Sequence, residues 1–255
     1  MTRLPTDGDR PLSARSVMAS LLLGRQPPAA PARDLVRWCE RFGITAGTAR
    51  VALHRMTTAG ELVRTDEGYQ LVGSLARRQR EQESSLDHEP TRWDHTWRMA
   101  IVVGDARPAR VRTDLREALR RARLAEWREG VWMRPANLPD LVEDSRCEWV
   151  DARPDLDAAR LADRLFRPVT WRQGADALLA RLDAATTTMR TDPEDGMTDA
   201  FLAGAASLRH IRADPLLPAV LLPEPWPGRA LRAAYRVYQR EFTLIARAWF
   251  RASDQ

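Results

Sequence analysis

ITAGTARVALHRMTTAGELVRTDEGYQ, residues 44–70, is the stretch that decides the fold. Thr45 is an N-cap residue type, and Ala49, Ala52, Leu53 and Met56 follow at i, i+3, i+4 and i+7, the spacing that lines one face of a helix. At about 100° per residue, Gly47, Arg50, Val51, His54 and Thr58 turn to the opposite face, with Arg55 on its flank. Gly60 ends the helix. Glu61–Thr65 and Tyr69–Val72 then read as two short strands around an Asp66-Glu67-Gly68 turn, with Arg64 on the resulting wing. A helix with small residues in its first turn and arginines outside fits a major groove, where Arg reads guanine bidentately and pairs with phosphate. The order helix then basic hairpin is the working end of a winged helix-turn-helix. The candidate DNA-binding residues are Thr45, Gly47, Thr48, Arg50, Val51, His54, Arg55 and Arg64.

Working outward, Ser13–Leu23 carries Val17, Leu21 and Leu22 at helical spacing behind a Ser13 cap, and Gly24 ends it. A proline-rich turn, Pro27-Pro28-Ala29-Ala30-Pro31, leads into a second helix, Ala32–Phe42, with Leu35, Val36, Cys39 and Phe42 as one stripe. Gly43 supplies the tight turn before the recognition helix. Charge points to the same module: residues 1–80 hold 13 Arg against 7 acidic residues, and residues 81–255 hold 27 Arg against 28. The positive excess therefore sits in the N-terminal module, as counterion release from DNA requires. All 40 basic residues are Arg, so a lone arginine elsewhere carries little functional weight.

A chain of 255 residues that is 44% hydrophobic has enough apolar surface for one large core or several small ones. No apolar run approaches the roughly 18 residues that span a bilayer, and the N-terminus is polar, so a cytoplasmic protein with no membrane partner is expected. Cys39 and Cys147 have neither metal-site nor redox spacing and are expected to be buried thiols. His54, His88, His95 and His210 are scattered, and neither a metal nor a cofactor is expected.

Residues 79–90 read as a polar connector. Eight of the nine Trp residues lie beyond residue 90. Trp97–Val103 is a strand candidate, Arg107–Ala122 an amphipathic helix, Glu126–Arg134 a strand with a Gly turn or bulge inside, Cys147–Ala152 a third strand and Pro154–Phe166 a helix. This order implies a small ferredoxin-like α+β domain over residues 91–167. Residues 168–255 read as helical, in three segments, Gly174–Met189, Thr198–Ala213 and Ala230–Ala252. Between the last two, the proline-rich connector Asp214–Gly228 cannot be regular helix, yet its apolar residues need burial. The expected organisation is thus a winged helix over 1–78, the connector, the α+β domain and a helical C-terminal domain.

Four elements together resemble the PaaX-type transcriptional repressors, named for regulators of phenylacetate degradation. They are Thr48-Ala49-Arg50-Val51-Ala52-Leu53-His54-Arg55-Met56; Arg92-Trp93 with Trp97; Glu129-Gly130-Val131-Trp132-Met133-Arg134-Pro135 with Asn137-Leu138; and Asp214-Pro215-Leu216-Leu217-Pro218 with Trp226-Pro227-Gly228. The resemblance implies a Cas2-like ferredoxin fold in the middle, a homodimer on a double-stranded DNA operator, and derepression by an acyl-CoA thioester. The chain departs from the phenylacetyl-CoA responders in carrying Arg123-Leu124-Ala125-Glu126-Trp127-Arg128 where they have a Gly-Phe-Gly type element.

Trp93, Trp97, Trp127 and Trp132 either line an effector pocket or anchor the core of the middle domain, since flat apolar side chains suit both. Arg92, Arg128 and Arg134 beside them are candidates to hold the phosphates of a small-molecule effector. The competing enzymatic reading is a metal-dependent nuclease using Asp105 of the Cas2-like domain. One carboxylate is not a metal site, because a hard cation takes several oxygen ligands. The chain also has no nucleophile elbow or phosphate loop, so no catalytic residue is assigned.

Overall fold

A computed structural model of the protein describes residues 6–7, 10–25, 27–73, 92–104, 108–138 and 143–252. The expected connector 79–90 and Asp105 lie outside the described residues. The chain forms two compact units, one of Met1–Asp87, Ala177–Arg212 and Arg229–Gln255, the other of His88–Asp176 and Ala213–Gly228.

In the first unit a two-residue pairing of β1 (Thr6–Asp7) with β2 (Arg10–Pro11) precedes three helices, α1 (Ala14–Leu23), α2 (Ala32–Glu40) and α3 (Ala46–Thr58). Ser13 and Thr45 are extended, and their hydroxyls accept from the backbone N–H of Ser16 and Thr48 at 3.1 and 3.3 Å, satisfying donors that a helix start otherwise leaves open. Ala49, Leu53 and Met56 are buried, and Ala52 is half-buried.

The hairpin of β4 (Leu62–Thr65) and β5 (Gly68–Leu71) pairs Thr65 with Gly68 around Asp66-Glu67. A third strand that the sequence reading places in a turn joins it: β3 (Ala29–Ala30) pairs with β5, and Leu71 N–H donates to the Pro28 carbonyl at 3.1 Å. Two residues between prolines lack the length to announce a strand, and prolines are tolerated at such an edge. This close approach fixes the residue at position 68. A Cβ there would stand 2.3 Å from the Ala30 carbonyl oxygen, and the backbone has φ +126°, which L side chains rarely adopt. Gly68→Ala is therefore expected to lower stability by about 1–3 kcal/mol, the cost of a strained backbone position, and to detach β3 from the wing. Urea denaturation checks this, and an unchanged midpoint would mean that the β3–β5 contact is dispensable.

Three further helices are long: α6 (Pro168–Thr191), α7 (Pro193–Arg212) and α8 (Gly228–Ala252). From Ala177 onward α6 belongs to the first unit, as do α7 and nearly all of α8. Trp38 of α2, fully buried, is the hub where these helices meet the winged helix. Its ring lies 5.4 Å from Phe42, 5.3 Å from Phe201, 5.7 Å from Phe242, 6.4 Å from Trp249 and 6.3 Å from Phe250, all edge-on. Around that core, Arg41, at the C-terminal end of α2, pairs with Glu194 of α7, which also accepts from Trp249 Nε1 at 2.8 Å. The two donors hold the Glu194 carboxyl below its ordinary value. Cys39 and Cys147 are buried thiols outside any disulfide, and burial pushes the Cys39 thiol up to about 12.

The second unit is built on β6 (Trp97–Val102), α4 (Ala109–Arg121), β7 (Ala125–Arg128), β8 (Val131–Pro135), β9 (Cys147–Ala152) and α5 (Ala158–Phe166). The four strands form an antiparallel sheet in the order β7-β8-β6-β9. Numbered along the chain this is 2-3-1-4, the strand order of a ferredoxin-like sheet, with its second helix placed after the last strand. The sequence reading takes Glu126–Arg134 as one strand. It is a hairpin instead, because Gly130 at φ +74° reverses the chain while the alternation of side chains carries on across the turn.

Each sheet face has its own core. Ala100 and Trp132 pack with Leu115 and Leu119 of α4, whereas Trp97 and Met133 pack with Leu161 and Ala162 of α5. Leu217 and Leu221 of the proline-rich connector join the second face, so the segment that cannot be helix throughout buries its apolar residues on the sheet. Asn137 anchors it by donating Nδ2 to the Leu216 carbonyl at 2.8 Å, and Asp214 Oδ1 accepts from Leu216 N–H at 2.9 Å. Two sequence elements far apart in the chain, around Asn137 and Asp214, thus meet in one structural joint.

Candidate nucleic-acid interface

The exposed side of α3 is an arc read at about 100° per residue: Arg50 at one margin, then His54, Gly47, Thr58 and Val51, and Arg55 with Thr48 at the other. All of these residues are exposed, Val51 by 52% despite its apolar side chain. An exposed valine in the middle of a polar face is a poor choice for water and a suitable one for a thymine methyl group. No acidic residue interrupts the helix from Ala46 to Thr58.

The two margins border two open depressions. On the Arg50 side, a cleft of about 810 Å³ is lined by α2, α3 and the wing, with Arg33, Arg37, Arg50, His54, Arg64 and Tyr69 in its walls. On the Arg55 side, Thr45, Gly47, Thr48, Val51 and Arg55 border a second depression together with Arg15. Of the residues expected from sequence, then, Arg50, His54 and Arg64 share one cleft and Thr45, Gly47, Thr48, Val51 and Arg55 the other. Arg33 and Arg37 were not among them. They stand on α2, and only the folding of α2 against α3 and the wing brings them to the cleft. Arg37 is set by Trp249, whose ring lies 4.4 Å beneath its guanidinium.

The family description "PaaX-like protein" matches residues 13–76, "PaaX protein central Cas2-like domain" residues 90–150, and "PaaX-like protein C-terminal domain" residues 170–252. The chain belongs to the PaaX family. This is a family of transcriptional regulators, and the three matches follow the winged helix, the four-stranded sheet and the C-terminal helices in order. Among solved structures, "Uncharacterized protein Rv0674 from Mycobacterium tuberculosis" is 40% identical, with a TM-score of 0.72, over 92% of this chain and 98% of that one. None of the curated proteins matches the chain.

In this PaaX family member five of the seven middle-domain residues considered for an effector divide between the two sheet faces. Trp93 packs edge-on against Trp97 at 5.9 Å and donates Nε1 to the Thr96 carbonyl at 2.6 Å. Trp97 is 2% exposed and belongs to the core on the α5 face, against which Trp93 and Trp127 also pack. Arg128, exposed, lies 4.3 Å over the Trp127 ring, and Arg92 is exposed. Trp132 and Arg134 point to the α4 face, where Arg120 lies 5.6 Å over the Trp132 ring. A single cavity walled by all four indoles is therefore not what the sheet builds, because positions 97 and 132 have opposite parity in the β6–β8 register. Arg134 is itself buried. Burial, with Arg98 and Arg123 nearby, pushes its guanidinium down to about 10, and its Nη2 donates to the Leu138 carbonyl at 3.2 Å.

Among the described residues no group of three His, Cys, Asp or Glu side chains is placed to hold a metal ion, and no helix is long and apolar enough to cross a membrane.

Proposed function

We propose that the protein is a ligand-responsive transcriptional repressor that binds an inverted-repeat operator as a homodimer and is released by an acyl-CoA thioester or a related aromatic metabolite. The observation that carries the DNA half is the uninterrupted exposed arc of α3 between Arg50 and Arg55, next to a cleft walled by four arginines. In this reading α3 lies in the major groove. Arg50, His54, Val51 and Thr48 face base edges, Arg55, Arg64, Arg33 and Arg37 meet phosphates, and Thr45 and Gly47 let the helix start approach the backbone.

A homodimer follows from economy of recognition. One winged helix covers too few base pairs to find one site in a genome, so two copies on half-sites about one helical turn apart, or a multiple of it, supply the missing specificity. The nuclease alternative depends on Asp105, and nothing in the described residues favours it.

The test is a gel shift of the full-length protein on the DNA upstream of its own gene, with and without a panel of acyl-CoA thioesters and the matching free acids. The expected result is a salt-sensitive complex with a dyad-symmetric footprint that one class of compound dissolves. No shift on that DNA and no enriched site from random-sequence selection would overturn the DNA half; a complex insensitive to every compound would overturn the ligand half.

A further inference from the structure

Trp249, near the C-terminal end of α8, lies against two arginines one helical turn apart: its ring centroid is 4.4 Å from Cζ of Arg37 in α2 and 5.3 Å from Cζ of Arg41 at the end of that helix. The indole is itself held in place. Its Nε1 donates to Glu194 Oε2 at 2.8 Å while Glu194 Oε1 accepts from Arg41, and Phe250 and Trp38 meet the ring edge-on at 5.0 and 6.4 Å.

We propose that Trp249 is a positioning residue of the DNA interface, which seats the Arg37 guanidinium in the wall of the α2–α3 cleft for a backbone phosphate beside the bases met by α3. The inference rests on the DNA half of the reading above and makes the C-terminal helix part of the machinery that binds DNA.

Charge explains why a ring does this and not a carboxylate. Arg37 and Arg41 are like charges four residues apart, which repel on a helix, and Glu40, three residues from Arg37 and lining the same cleft, competes for its guanidinium. Glu194 takes Arg41 in a direct pair. A second carboxylate on Arg37 would cancel the charge that releases counterions from DNA, whereas attraction to an indole face leaves that charge in place. A guanidinium stacked on a ring also keeps in-plane N–H donors for another acceptor. The remaining gain is order: an unrestrained arginine gives up rotamer freedom when it closes on a phosphate, and one already seated on a fixed ring gives up less.

The experiment measures operator binding by the full-length protein at several salt concentrations for Arg37→Ala, Trp249→Leu, Trp249→Phe and the double variant Arg37→Ala, Trp249→Leu. Arg37→Ala is expected to reduce the salt slope by about one, as a lost phosphate contact does. Trp249→Leu should weaken binding about threefold to tenfold, the cost of ordering one arginine side chain anew, and Trp249→Phe, which keeps an aromatic face, should recover most of it. In the Arg37→Ala background Trp249→Leu should change nothing further, because the guanidinium that the ring places is already gone. A second readout needs no variant of Trp249. The Arg37 Nε–H proton, assigned by its loss in Arg37→Ala, should be shifted upfield by the indole ring current in the NMR spectrum of the DNA-free protein.

Losses that add in the double variant would overturn the inference, since Trp249 would then act through the stability of the unit and not through Arg37. An unshifted Arg37 Nε–H would overturn it too, even where Trp249→Leu does not fold. Operator affinity and salt slope unchanged in Arg37→Ala would overturn this inference alone and leave the DNA reading standing. A wild-type protein that binds neither its own upstream DNA nor any selected site would overturn both.

Discussion

Replacing Arg50 and Arg55 together by alanine is expected to lower operator affinity at least about thirtyfold, since each base or phosphate contact of this kind is worth roughly 1–3 kcal/mol. The two losses should add. The side chains stand at opposite margins of the α3 arc, bordering separate depressions with no lining residue in common, and independent sites are additive. Titrations at several salt concentrations separate their roles: a lost phosphate contact reduces the salt slope by about one, whereas a lost base contact leaves the slope and relaxes the sequence preference. Arg116→Ala, on a helix of the middle domain where the guanidinium lies 3.6 Å from Glu126, is the control for the general abundance of arginine and should leave binding unchanged. Full affinity in the double variant would place the DNA on some other surface.

Helix α3 was readable because everything that defines it is local. A cap at Thr45, an apolar stripe over Ala49–Met56 and a stop at Gly60 fall within one short segment, and burial follows that stripe. What escaped the sequence depends on segments far apart. Ala29–Ala30 becomes a strand only because β5 passes alongside, and Arg33 and Arg37 join the cleft only because α2 packs beside α3.

Trp38 shows the limit most clearly. The stripe Leu35, Val36, Cys39 and Phe42 accounts for one face of α2, and residue 38 looks like an outlier until α7 and α8 supply Phe201 and Phe242 to cover it. The middle-domain tryptophans were ambiguous for a related reason. Both core and pocket call for flat apolar side chains, and only strand register separates Trp97 from Trp132 onto opposite faces.

Trp38→Ala is expected to be the most destabilising single substitution in the first unit. The side chain is fully buried and touches five aromatic rings, Phe42 just past α2 and four from α7 and α8, so truncation leaves a large void that rigid neighbours refill poorly. Losses of this kind cost about 3–5 kcal/mol. For a protein of this size each kcal/mol moves the melting temperature by roughly 2–4 °C, which puts the expected fall on the order of 6–20 °C. The indole Nε1 has no hydrogen-bond partner among the described residues, so it is packing that is lost and not a polar contact.

Trp38→Phe separates these terms, since it keeps an aromatic ring at the hub and should recover most of the stability. Operator binding should follow stability in Trp38→Ala, because α2 carries Arg33 and Arg37 and supports α3 from behind. A melting temperature within about 2 °C of wild type would be less than one kcal/mol on the same scale, and would mean that the C-terminal helices do not brace the winged helix through this residue.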